Sequence, residues 1–379
     1  MAITAFVDRP RTPGILLVLP LALLLLPLSV VNAQTTSPPQ VQPGPAATET
    51  VPPGGTDRQI TTDRQITIDV QVTDKSGMPV RGLQQQDFTV LDDKQPQKLV
   101  YFHSVDDAGD RNSDPPVEIV LVVDAVNASV RDVAYERNEV KKFLLQNGGK
   151  LVWPASLVFF SETGLQMQNG PSRDGNALAA LFDQQETGLR SANLTNGGLW
   201  SAFERVNVSI KALEQIVRYE KTRPGRKLMI WLSYGWPIFG WGAVHTSKDE
   251  QQFFDAITAE SMDLTQAMVT VYSIDPVGLR DAVSMRNSYY ENFLSSASRA
   301  QPGNMGLQVI ATQSGGRVFT SSNDLKDAIE SCLADASAYY VLAFVAARAG
   351  QVNEYHALQV TVDKPGMTAR TRTGYYAQP

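Results

Sequence analysis

The sequence predicts an α/β fold in which a mostly parallel central sheet, flanked by helices, is inserted into a small discontinuous β-sandwich shared by both chain ends. Three observations predict it. Short apolar runs alternate with helical periodicities across residues 113–337, the order of elements that yields a parallel sheet. Residues 65–112 and 338–379 instead alternate apolar and polar side chains with period two, and each stretch is too thin to bury both faces of a sheet by itself. The clearest single stretch is Val117 to Ser129, VEIVLVVDAVNAS, where an apolar run stops at one carboxylate, Asp124, and small residues lead into a helical pattern. In open α/β sheets ligands bind beyond the carboxyl ends of the strands, so an acid in that place is a functional candidate.

Residues 1–33 set Arg9 and Arg11 ahead of apolar Ile15 to Leu28 and close on small Ala33, which reads as a cleaved signal peptide. A membrane anchor is the alternative, but Pro20 and Pro27 interrupt a run of marginal length for a bilayer. Cleavage implies a mature chain without a transmembrane segment, exported to a periplasm or to the extracellular space. Residues 34–64 are rich in proline and threonine and hold no aromatic side chain, the composition of a disordered linker.

The β-rich N-terminal stretch follows, with ITIDVQVTD, a Lys75-Ser76-Gly77 turn, and then DFTVLDD and QKLVYFHSV about a second turn. After the Asp124 strand, a helix runs through Phe143 and Leu144 to a strand near Ser156 to Phe160. The helix from Leu199 to Val217 repeats Phe203, Val206, Ile210, Leu213 and Val217 on one face. Strands at Lys227 to Leu232 and Val269 to Ile274 come next, and a Gly315-Gly316 turn leads into Val318 and Phe319. Cys332 falls on a helical stripe with Leu325, Ala328, Ile329, Leu333 and Ala336, which makes it a packing thiol. Strands at Tyr339 to Ala346, Tyr355 to Val362 and Thr368 to Tyr376 end the chain.

Composition excludes several classes. A net charge of −6 argues against nucleic acid as a partner. One cysteine excludes an internal disulfide, so an exported chain must rely on its core. The three histidines, His103, His245 and His356, lie in separate segments without metalloprotease spacing, and no nucleophile elbow or phosphate loop is present. Asp124 and Asp275 could form a carboxylate pair at the strand ends; alternatively Asp275 caps the turn built by Pro276 and Gly278. The basic residues Arg218, Lys221, Arg223, Arg226 and Lys227 read as a solvated loop.

Six segments in order, VTDKSGMPVRGLQQQDFTVLDDKQPQKLVYF (72–102), RPGRKLMIWLSYG (223–235), YSIDPVGL (272–279), SGGRVF (314–319), AYYVLAF (338–344) and RTGYYA (372–377), resemble the VWFA-related acidobacterial domain subfamily of von Willebrand factor type A proteins. The resemblance implies a Rossmann-like type A domain with a binding role. In that family Asp-x-Ser-x-Ser holds Mg²⁺, a cation that wants oxygen ligands in octahedral array. Carried over, Asp124 matches the first acid and Thr195 the threonine that closes the site, so these two are the weak candidates for a metal. Val126 and Ala128 stand at the serine positions, and Ser233 stands where metal-binding members have a second Asp. The implied metal-ion-dependent adhesion site is degenerate and no cofactor is expected. Asn127 and Ser129 offer oxygens one residue out of register, which on an extended loop turns them away from the site.

The expected ligand-binding rim therefore comprises Asp124, Asn127, Thr195, Ser233, Trp236, Phe239 and Trp241. The last three lie in GWPIFGWG, an aromatic run between glycines that either packs down as a lid or stands out as a hot spot for a protein partner. The expected function is a non-catalytic, exported protein-binding or adhesion module. A cation-dependent adhesion domain with non-standard ligands is the alternative, and a hydrolase using rim carboxylates is third.

Overall fold

The protein is described here from a computed structural model, which describes residues 64–105, 117–128, 130–161, 164–184, 199–236, 246–276, 290, 293–320 and 325–379. The expected signal peptide, the linker to residue 63, Ser129, Thr195, Phe239 and Trp241 lie outside these residues.

The N-terminal strands are β1 (Gln65–Thr73), β2 (Phe88–Asp92), β3 (Gln95–Gln97) and β4 (Leu99–Val105). The middle of the chain contributes β5 (Glu118–Asp124), α1 (Val130–Leu144), β6 (Lys150–Ser161), β7 (Gly164–Met167), β8 (Ser172–Asp174), α2 (Gly175–Gln184) and α3 (Leu199–Glu220). It continues through β9 (Lys227–Leu232), α4 (Ser247–Gln266), β10 (Val269–Ile274), α5 (Leu307–Gln313), β11 (Val318–Phe319) and α6 (Leu325–Ser337). The chain returns as β12 (Tyr339–Val345), β13 (Glu354–Val362), β14 (Thr368–Arg370) and β15 (Gly374–Ala377).

The central sheet runs β11-β10-β9-β5-β6-β7, with β8 also pairing β6. Its four inner pairings through β6 are parallel, and only the edge strands β7 and β8 run antiparallel. Parallel strands need cover on both faces, and β5 shows why its sequence is apolar at every position but its ends. Ile119, Leu121 and Val123 face one core with α1, α2 and α6, whereas Val120 and Val122 face another with α3, α4 and α5. Each such aliphatic side chain, wholly removed from water, contributes about 1.5–3 kcal/mol. Cys332 lies in the first core and is fully buried, and that burial raises the pKa of its thiol.

From β5 the chain crosses by α1 to β6 on one side; from β9 it crosses by α4 to β10 on the other. The strand order reverses between β5 and β9, so the crevice of this sheet opens at their carboxyl ends, beside Asp124. A capping box starts α4: the Thr246 side chain accepts from the Asp249 N–H, and Asp249 accepts from the Thr246 N–H.

The remaining strands form two four-stranded sheets, β14-β1-β12-β4 and β15-β13-β2-β3, both assembled from the two ends of the chain. Ile68 lies opposite Leu342 and Val70 opposite Tyr340 in the first; Val90 lies opposite Val360 in the second. Their inner faces share one core with Phe88, Phe344 and Tyr375. The Tyr340 hydroxyl, inside that core, accepts from Leu83 N–H at 3.2 Å and donates to the Val80 carbonyl at 2.9 Å.

Of the five residues expected in a solvated basic loop, Arg218 and Lys221 are exposed, whereas Arg223, Arg226 and Lys227 form a seam. Arg226, 4% exposed, pairs with Asp69 of β1 at 3.0 Å, lies over the Tyr339 ring and donates to the Asp335 carbonyl. Arg223 pairs with buried Glu118 at 2.6 Å, and Lys227 is fully buried with its ammonium on the Arg223 and Ala267 carbonyls. The reason is topological. The loop before β9 runs across the amino ends of the parallel strands, where the sandwich abuts them, so its cations find carboxylates and carbonyls instead of water.

Candidate functional site

β5 and β9 are adjacent and parallel, with Val123 opposite Leu232, and Leu232 in turn opposite Ile274 of β10. The next residues on the three strands are Asp124, Ser233 and Asp275. They form a row along the carboxyl edge of the sheet, with Ser233 between the two acids. Two inter-strand spacings put the acids about 10 Å apart, too far to share a proton.

Asp124 is completely buried. Its Oδ1 accepts from the Val126 N–H at 3.0 Å and from the Asn127 N–H at 2.9 Å. Its Oδ2 accepts from the Asn127 side-chain amide at 2.9 Å and from the Trp231 indole N–H at 3.0 Å. Burial raises its pKa, while hydrogen bonds from Asn127, Trp231 and Ser233 act to lower it. The turn after β5 thus folds over its own acid, and the strand next door adds an indole.

Asn127 corrects the sequence reading. Its side chain turns toward Asp124 and also donates to the buried Ser209 hydroxyl of α3 at 2.8 Å. The turn is tight because two backbone N–H groups converge on one carboxylate oxygen, which brings residue 127 inward. Val126 and Ala128 are buried in the cores on opposite faces of the sheet, so the positions where the resemblance implies hydroxyls are occupied by packing groups.

These residues do not fit Mg²⁺. A Mg²⁺ ion needs several oxygen donors, but apart from the Ser233 hydroxyl the described groups ringing the Asp124 carboxylate are N–H groups that present hydrogens. Both carboxylate oxygens already accept two such bonds. Turning the Asn127 amide about would aim its Oδ1 at the carboxylate and lose the bond to Oδ2.

Trp236 also departs from the reading of an exposed patch. It is 2% exposed and packs edge-on against Trp231, with ring centroids 5.3 Å apart. The chain reaches this position through Gly235 at φ +91°, where a Cβ would come within 2.0 Å of the Gln308 side-chain nitrogen. Only glycine allows that turn, and it directs the next ring down onto the sheet. Trp236 is therefore a lid over Trp231. Ser233, fully buried, accepts from the Gly235 N–H at 3.2 Å and helps set the same turn. Of the seven expected rim residues, Asp124, Asn127, Ser233 and Trp236 come together, all buried; Thr195, Phe239 and Trp241 lie outside the described residues.

Sequence reasoning passed over Trp231 and Ser209. The signal for Trp231 is its own type: in KLMIWL an indole N–H donor stands among aliphatic residues, one position before the strand ends. Ser209 carries no such signal, because a serine within a helix ordinarily faces water or its own backbone.

No family model matches the chain, and no curated protein matches it. Among solved structures, the pilus adhesin SpaC from Lactobacillus rhamnosus GG is similar over 78% of this chain and 48% of the adhesin, at 11% identity and a TM-score of 0.35. The PilB minor pilin from Streptococcus sanguinis is similar over 58% of this chain and 60% of the pilin, at 13% identity and a TM-score of 0.33. The SpRpn10 VWA domain is similar over 56% of this chain and 93% of that domain, at 13% identity and a TM-score of 0.26. This chain thus spans about half the length of the adhesin and three fifths of the pilin. What it does has to be read from its own side chains. Among the described residues, no helix is long and apolar enough to cross a membrane.

Proposed function

We propose that this chain is an exported, non-catalytic protein-binding module of the adhesion type, built on a von Willebrand factor type A-like domain that works without a cation at Asp124. The observation that carries the reading is the set of four N–H groups closed on the buried Asp124 carboxylate. A carboxylate held in this way is an internal plug that fixes the rim. It can neither bridge to a partner through a metal nor reach a substrate as a base. The partner surface is then assigned to the aromatic run that follows β9 in the sequence, whose Phe239 and Trp241 are side chains of the kind that dominate protein interfaces.

Two measurements test this. Titrating Mg²⁺ alone into the whole chain in a calorimeter should give no saturable heat; saturable binding that Asp124→Asn abolishes would restore the cation-dependent reading. Capture of cell-envelope proteins on immobilised chain should be indifferent to added Mg²⁺, and should fall in Phe239→Ala and Trp241→Ala at unchanged melting temperature. Capture that survives both substitutions would move the partner surface elsewhere.

A further inference from the structure

The second sheet of the sandwich holds a polar cluster far along the chain from the rim residues. Asp92 ends β2, Asp93 begins the turn into β3, and His356 lies on β13 directly opposite Tyr375 of β15. The His356 and Tyr375 rings stack at 5.1 Å. His356 Nδ1 is 3.0 Å from Asp92 Oδ1 and 3.5 Å from Asp93 Oδ2, and all three atoms lie within 4.8 Å of one another. The other oxygen of each carboxylate is already anchored. The Tyr375 hydroxyl donates to Asp92 Oδ2 at 2.9 Å, and the Ala357 N–H donates to Asp93 Oδ1 at 2.9 Å.

Two further features distinguish this cluster from an ordinary surface pair. Asp92 is 4% exposed, yet among the described residues no lysine or arginine pairs with it or with Asp93, and Glu354 adds a third acid near Tyr375. A buried carboxylate ordinarily has a cation or a metal against it. His356, 6% exposed, has no hydrogen-bond partner at Nε2 among the described residues, so no bond from them fixes its tautomer, and Nδ1 can present a lone pair between the two carboxylates.

We propose that Asp92, Asp93 and His356 form a divalent-cation site. One nitrogen and two carboxylate oxygens suit a first-row transition ion, borderline Zn²⁺ before harder Mn²⁺, better than Ca²⁺ or Mg²⁺, which take oxygens throughout. Ligands on one such ion sit about 3–3.5 Å apart, the spacing from His356 Nδ1 to each of the two carboxylates. Tyr375 and Ala357 act as the outer partners that hold ligating carboxylates in place. Asp93, about half exposed, opens the site to solvent, and three protein ligands leave a coordination position for water. The ion ties the β2–β3 turn, from the first part of the chain, to β13 and β15 from the last.

The test uses the whole chain, freed of metal with a chelator and titrated with ZnCl₂ and MnCl₂ separately, each the only added ion. The expected result is saturable uptake of one ion per chain with a rise of several degrees in melting temperature. Asp93→Asn, at an exposed turn residue whose φ of +47° asparagine tolerates, should weaken binding at least roughly tenfold without unfolding the chain. His356→Gln should remove the nitrogen-ligand signature from the visible spectrum of the Co²⁺ form. Failure to take up either ion at millimolar concentration overturns the proposal, as does uptake that Asp93→Asn retains in full. Asp124→Asn should leave Zn²⁺ uptake unchanged. If it alone abolishes uptake, the ion sits at the rim, and both this proposal and the cation-free reading of Asp124 fall together.

Discussion

At Asp124 the physical question is what compensates a carboxylate removed entirely from water. Four short N–H contacts do so, two from the backbone of the turn and two from side chains, and the bond from Trp231 is the one that reaches it from another strand. Trp231→Phe keeps a ring in the core beside Phe160 and Trp236 but leaves Oδ2 one donor short. A hydrogen bond to a charged group contributes about 1.5–3 kcal/mol, so this substitution should lower unfolding free energy by about 2 kcal/mol, measured by urea titration. A loss near zero would mean that the indole only packs. The acid and its place at a strand end were legible in the sequence. Its closure was not, because it depends on an indole from a strand about a hundred residues away and on a turn that brings residue 127 inward.

Among the elements, the most exposed dependency is that of the N-terminal strands on the C-terminal ones. β1 has β12 on one side and β14 on the other, and β2 has β13 beside it, so three of their ladders come from the last segment of the chain. Ile68, Val70, Phe88 and Val90 would lose their cover with it. Deleting residues 338–379 should therefore unfold β1 to β4, and limited proteolysis should cut within 65–105 at a rate expected of unfolded chain. Protection equal to that of the intact protein would show that these strands stand alone. The alternation of both segments could be read from the sequence, and so could the shortage of large apolar side chains in either. Which strand pairs with which could not, since period-two patterns are satisfied by many partners and register is set by the assembled core.

Over the whole molecule, buried acids set the dependence of stability on pH. Burial, reinforced by Glu214 and Asp263, pushes Glu260 of α4 up to about 8, and burial with Glu118 nearby pushes Glu220 up to about 7 against the pull of Arg223 and Lys227. Both groups hold their protons more tightly in the folded chain than in the unfolded one, so stability falls as pH rises from about 4.5 through these values. Asp74 and Asp87, lowered mainly by hydrogen bonds from Ser76 and the Gln84 N–H, act oppositely and favour folding above the ordinary aspartate range. Glu260→Gln should raise unfolding free energy at pH 8 by about 4 kcal/mol and change little at pH 4.5. Equal effects at both values would mean that the carboxylate does not titrate in this window. By itself the sequence determined the order of strands and helices, and with it a parallel sheet between two β-rich ends, because periodicity is a local property that fixes which side of each element faces inward. It also placed Val126, Ala128 and Ser233 where the resemblance implies two hydroxyls and a second acid. Only the tertiary structure decided that Asn127 and Trp231 close on that acid, that Trp236 lies beneath the rim, that Arg226 joins the two parts of the molecule, and that Asp92, Asp93 and His356 meet. Each of these is a contact between residues distant in the chain or a turn whose direction follows from packing, and neither is written in the period of a local pattern.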